Sequence, residues 1–177
     1  YTRAYDYASA INDSSKTIAI LNNIAELFRY QKNGAKAVEY MEKAMAVYAD
    51  NPELPDGLHT MNQFNGALAY DLNGQLAKAI QITEKLYRTQ ADNKYYRGFN
   101  AYSLGRLYIK AKAYGKAEKL LKESLSLTSY SKRISKRSAL YAELTTLYVK
   151  IGDKDNALLY GKKGYELAET MTSREKR

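Results

Sequence analysis

The chain has no cysteine and no tryptophan, one histidine and two prolines among its 177 residues. Without cysteine there are no disulfides and no thiolate metal sites. A single histidine, His59, cannot build the imidazole sets of zinc centres. No serine or cysteine nucleophile pattern can be built around it either. Both prolines, Pro52 and Pro55, fall in one short stretch, so no other position loses a backbone N–H and breaks a helix. No run approaches the roughly 18 apolar residues of a membrane span. No signal peptide is visible, and the lack of cysteine selects no compartment by itself.

What is abundant is tyrosine, with 18 residues, and positive charge, with a net +9. The charge is uneven: residues 1–89 hold nine Lys/Arg and ten Asp/Glu, residues 90–177 nineteen and nine. Two readings fit, a solvated lysine face or a surface that meets an acidic protein, a nucleic acid or anionic lipid.

Four segments repeat. Each holds a small residue (Ala25, Ala67, Gly105, Thr145), an aromatic three positions later (Phe28, Tyr70, Tyr108, Tyr148) and an alanine twelve positions after the small one (Ala37, Ala79, Ala117, Ala157). The alanines lie 42, 38 and 40 residues apart. Apolar residues recur at three and four positions in both halves of each segment, the helical period. The small residues predict close helix crossings, with the aromatic filling the space beside each. Breaks between the halves read Asn33-Gly34, Asn73-Gly74, Gly152-Asp153 and, less regularly, Lys112-Ala113-Tyr114-Gly115. Glycine and asparagine tolerate the left-handed backbone that ends a helix. The spacing predicts helices over 15–32 and 35–49, 57–72 and 75–90, 95–111 and 114–128, 134–151 and 154–170. Residues 1–11 read as the second helix of a truncated preceding repeat. Thr172–Arg177 reads as the start of another helix, so both ends look cut from something longer.

These segments resemble the tetratricopeptide repeat, with small and aromatic residues in the first helix, a glycine at the turn and alanines in the second. The resemblance covers about residues 15–170, in units longer than the usual 34 or so. It implies one domain over 1–177, an all-α, right-handed superhelical stack of four antiparallel helix pairs (15–49, 57–90, 95–128 and 134–170). Long-helix repeats of this kind are similar to those of bacterial signalling proteins, including membrane-anchored Bacteroidetes regulators and quorum-peptide receptors, and the high tyrosine and lysine content fits the former better. On that basis the chain is expected to be a protein- or peptide-binding scaffold or sensory module of a larger regulator. The compartment leans toward the extracytoplasmic side of a membrane-anchored protein, with the cytoplasm as the alternative.

No catalytic residue, metal site or cofactor site is assigned. His59 reads as a surface or packing residue without an acidic partner. The pairs Glu39/Glu42 and Asp153/Asp155 read as solvated carboxylates, and Gly161-Lys162-Lys163-Gly164 as a small-residue contact inside a helix. Tyr70, Tyr108 and Tyr148 read as core, whereas Tyr95, Tyr96 and Tyr102 lie outside the repeat pattern.

The resemblance places a partner groove on the first helices of successive pairs. Its positions are Asn22, Glu26 and Arg29, then Met61, Phe64, Leu68 and Asp71. Phe99, Tyr102, Arg106 and Lys110 follow, then Thr146, Val149 and Lys150. The middle is apolar and the C-terminal part cationic, which suits an acidic protein or peptide segment with an apolar anchor. Glu26 would repel a C-terminal carboxylate, which argues against the chaperone-type clamp. The alternative function is a nucleic-acid-binding helical repeat, using the basic half and the run Ser131-Lys132-Arg133-Ile134-Ser135-Lys136-Arg137.

Overall fold

The computed structural model describes Ala10, residues 13–127 and residues 133–175. The segment read as a truncated helix over 1–11 lies outside these residues apart from Ala10. So do Ser131 and Lys132 of the basic run, and Lys176 and Arg177. Among the described residues there are eight helices and no strand: α1 Ser14–Tyr30, α2 Gly34–Ala49, α3 Asp56–Leu72, α4 Leu76–Thr89, α5 Lys94–Lys110, α6 Tyr114–Ser126, α7 Ile134–Ile151 and α8 Lys154–Glu175. The chain forms two compact units, Tyr1–Leu86 and Tyr87–Arg177.

Local chemistry fixes the helix ends. Asp13, Asn33, Asn93 and Asp153 each accept a backbone N–H of the following first turn, at 2.9, 3.1, 3.0 and 3.0 Å. Pro55 precedes α3 with φ −56°, a natural helix start. The four turns inside the pairs share one geometry. Asn33, Gln75, Ala113 and Asp153 donate their N–H to the carbonyls of Phe28, Tyr70, Tyr108 and Tyr148, at 2.8–3.0 Å. The residue before each donor is left-handed: Lys32 (φ 60°), Gly74 (φ 76°), Lys112 (φ 59°) and Gly152 (φ 80°). This double-bonded ending satisfies carbonyls that a helix end leaves open.

Two expectations change here. Asn33 is the N-cap of α2 rather than the left-handed residue, and Gly34 serves a close approach. A Cβ on Gly34 would stand 2.8 Å from the Asn73 Cα. The tail does not start a new helix, because α8 runs through Glu175 and no glycine or proline after Gly164 stops it.

In unit 1, α1 packs on α2, α2 on α3, and α1 also touches α3. In unit 2, α5 packs on α6, α6 on α7, α7 on α8, and α5 touches α7. The core of unit 1 gathers Ile18, Leu21 and Ala44, with Tyr40, Val47, Tyr48, Leu54 and Leu58 packed around them. Unit 2 buries Leu104, Leu121, Leu140, Leu144 and Leu147. Ala37, Ala79 and Ala117 are fully buried, as close crossings require, whereas Ala157 is only partly so. Gly105 shows what the small position does: a Cβ there would lie 2.8 Å from Leu121 Cγ and 3.4 Å from the Ala117 carbonyl. Gly161 and Gly164 lie inside α8, where an added Cβ would meet Thr145 and Tyr141 of α7 at ordinary contact distance.

Candidate functional site: the faces of the first helices

Tyr70, Tyr108 and Tyr148 are core, and Tyr70 and Tyr148 each bond to the second helix of the preceding pair in their own unit. Tyr70 of α3 donates to Glu42 Oε1 of α2 at 2.9 Å, and Tyr148 of α7 donates to Glu118 Oε1 of α6 at 2.8 Å. Burial, and then the bond to Glu42, push the Tyr70 hydroxyl up to about 12. Lysines one position before the repeat alanine lie over these rings: Lys36 over Phe28 at 5.0 Å, Lys78 over Tyr70 at 4.5 Å and Lys116 over Tyr108 at 5.1 Å. These three lysines are thus structural, contributing roughly 0.5–1 kcal/mol per exposed cation–π contact. Glu42 pairs with Lys78 at 3.5 Å and Glu39 with Lys43 at 2.6 Å, so those carboxylates have structural partners.

His59 stacks on Tyr48 with ring centroids 4.2 Å apart, and its Nε2 lies 2.8 Å from Gln63 Nε2. It is a packing residue. Burial first, then the Lys85 charge, lower its pKa, while Asp56, one turn earlier, raises it. The sequence reading, which gave His59 no acidic neighbour, missed Asp56. No group of three or more potential metal ligands occurs among the described residues. No described helix is long and apolar enough to cross a membrane.

The fourteen groove positions divide equally between the units. In unit 1, Asn22 is buried at 3 % exposure and its amide has no protein hydrogen-bond partner. It faces inward and lines no surface, which corrects the expectation for that residue. Glu26 and Arg29 are half-buried and form a one-turn ion pair at 3.3 Å. Met61 is exposed, and Phe64, Leu68 and Asp71 are half-buried. Where α1 meets α3 there is a shallow cleft lined by Ala25, Glu26, Arg29, Met41, Asn65 and Ala69.

In unit 2, Phe99, Tyr102 and Arg106 are half-buried, and Lys110, Thr146, Val149 and Lys150 are exposed. Burial raises the Tyr102 pKa, and the Arg106 charge partly offsets that. Arg106 Nε donates to Glu143 Oε1 of α7 at 2.8 Å, and its guanidinium lies 5.7 Å from the Tyr102 ring centroid. The sequence reading treated Arg106 as an available cation and missed Glu143. The signal was in the register: Glu143 stands two residues before Thr145, as Asn65 stands two before Ala67. Of the extra tyrosines, Tyr95 and Tyr96 meet edge to face at 5.6 Å. The basic run supplies Arg133, Lys136 and Arg137 to the start and first turn of α7, with Lys136 and Arg137 N–H groups bonded to the Arg133 carbonyl.

Repeated helix pairs, with the first helices of neighbours side by side in each unit, define an all-α helical-repeat scaffold. Residues 17–50, one helix pair, match the tetratricopeptide repeat family model, and the remaining pairs share its helical-repeat fold. Solved structures agree on the fold. The apo form of RapI is 19% identical, with a TM-score of 0.80 over 96% of this chain and 62% of its own. BtubC from P. vanneervenii is 18% identical, with a TM-score of 0.78 over 96% of this chain and 71% of its own. A putative kinesin light chain of Podosopora anserina with nearly identical TPR-like repeats is 22% identical, with a TM-score of 0.74 over 89% of this chain and 77% of its own. The comparison with curated proteins gives no match.

Proposed function

We propose that the whole chain is a non-catalytic binding module that takes a protein or peptide segment on the exposed faces of its first helices. Scaffolding is what this fold class typically does. The observation that carries the reading is the surface of α5 and α7. Val149 is 64% exposed there, a large apolar side chain in solvent, beside exposed Lys150 and Thr146. Interior packing does not need these side chains. An apolar anchor set among cations suits an acidic segment with one apolar side chain, of the kind found in regulatory partners. A role within a bacterial signalling protein extends the same reading.

The test is calorimetric titration of the chain with a peptide of one leucine between acidic flanks, at low and high salt. Phe99→Ala plus Tyr102→Ala should abolish binding, since buried aromatic anchors carry about 2 kcal/mol or more each. Lys110→Ala plus Lys150→Ala should weaken it chiefly at low salt. If the aromatic pair proved neutral while Arg133, Lys136 and Arg137 were essential, the surface is the basic turn and this assignment fails.

A further inference from the structure

The residues that line the cleft between α1 and α3 have register equivalents in unit 2. The repeat register carries Ala25, Glu26, Arg29, Met41, Asn65 and Ala69 onto Gly105, Arg106, Ile109, Leu121, Glu143 and Leu147. In unit 1 the two polar positions that face each other across the first helices hold a carboxylate, Glu26, and a neutral amide, Asn65. In unit 2 they hold opposite charges, and Arg106 Nε meets Glu143 Oε1 at 2.8 Å.

We infer that Glu143 is a built-in competitor: it occupies the Arg106 guanidinium in the free chain, as a carboxylate of the acidic partner does in the complex. The inference rests on the reading of the α5–α7 face as a site for an acidic segment. Three observations carry it. The pair bridges the two helices that form the face, so binding along that face meets it. Arg106 is 42% and Glu143 23% exposed at the side chain, so water reaches the pair and screens it, and exchange of one carboxylate for another costs little. The guanidinium carbon also lies 5.7 Å from the Tyr102 ring centroid, a cation–π contact that does not depend on which carboxylate Arg106 holds. A partner that sets one carboxylate on Arg106 can set another on Lys150, two turns along α7 from Glu143, whereas the free chain gives up only a weak pair. Affinity is thereby tuned by an internal glutamate, and partners without a well-placed carboxylate gain no contact from Arg106, which stays paired with Glu143.

The experiment measures binding of a fluorescent nonapeptide, one leucine between two runs of four glutamates, to the 177-residue chain at low salt. A glutamine-flanked peptide serves as the control. Glu143→Gln should bind the acidic peptide at least threefold tighter than wild type, and Glu143→Asn, the residue unit 1 uses, should do likewise. Arg106→Gln should bind at least threefold weaker, and adding Glu143→Gln to it should gain clearly less than Glu143→Gln gains in the wild-type background, because only charge repulsion is then relieved. Glu166→Gln on α8 makes the same change in net charge away from the face and should leave affinity unaltered. Melting curves establish that each variant is folded. If wild type binds but neither Glu143 variant binds tighter, or Glu166→Gln gains as much, the competitor role is overturned while the face reading stands. If neither wild type nor Glu143→Gln binds the acidic peptide, the face reading itself falls.

Discussion

Lys32 and Lys112 hold the left-handed backbone that Gly74 and Gly152 hold in the other two turns. An L-residue with a Cβ crowds its own carbonyl there, at roughly 1–2 kcal/mol. Glycine avoids the clash but loses more freedom on folding. Lys32→Gly and Lys112→Gly should each therefore stabilise the chain, by about 0.5–1 kcal/mol, read as a higher urea midpoint at unchanged slope. A lower midpoint would mean that the lysine side chains contribute more than the strain costs. From sequence the Asn33-Gly34 pair drew the eye to the wrong residue. Glycine signals either a left-handed angle or a close approach, and only the neighbour's position tells which.

Among elements, the four helix pairs share a register but not a complement of neighbours. Val38 of α2 is 7% exposed, whereas Leu158, its equivalent on α8, is 74% exposed, and Tyr165 two turns on is 65% exposed. The third helix covers that face in unit 1, and no described helix covers it on α8. Glycines separate the two kinds of helix contact. Gly34→Ala drives a Cβ onto the Asn73 backbone, which cannot rotate away, so it should cost roughly 1–3 kcal/mol. Gly57, in the first turn of α3, has nothing within 4 Å of its would-be Cβ. Gly57→Ala should be neutral or stabilise by up to about 1 kcal/mol through helix propensity. Equal effects of the two changes on thermal stability would show that the α2–α3 crossing is looser than the structure has it.

At the scale of the whole molecule, the excess of cations in residues 90–177 invites a nucleic-acid reading. The structure shows several of these cations engaged. Lys116 lies over Tyr108, Lys122 pairs with Glu118 at 2.6 Å, and Arg97 with Glu123 at 2.6 Å. Engaged cations release fewer counterions on binding. Mixed-sequence RNA should therefore give no mobility shift at roughly 0.15 M salt. A shift that weakens as a steep power of salt would instead place function on the basic start of α7.

Much of the fold was legible because a repeat repeats its reasons: a small residue, an aromatic and an alanine return in one register. Local chemistry, the turn glycines Gly74 and Gly152 and the paired prolines, then marked helix ends. Helix period and backbone chemistry act within a few residues, so a sequence displays them directly. What only the tertiary structure decided depends on atoms far apart in the chain. Asn22 turned inward because the α1 face it occupies is packed. Gly34 proved to be a contact because Asn73 lies against it. Arg106 is engaged because α7 brings Glu143 to it from 37 residues away. Pairing between distant charges is set by packing geometry, and no local pattern encodes it.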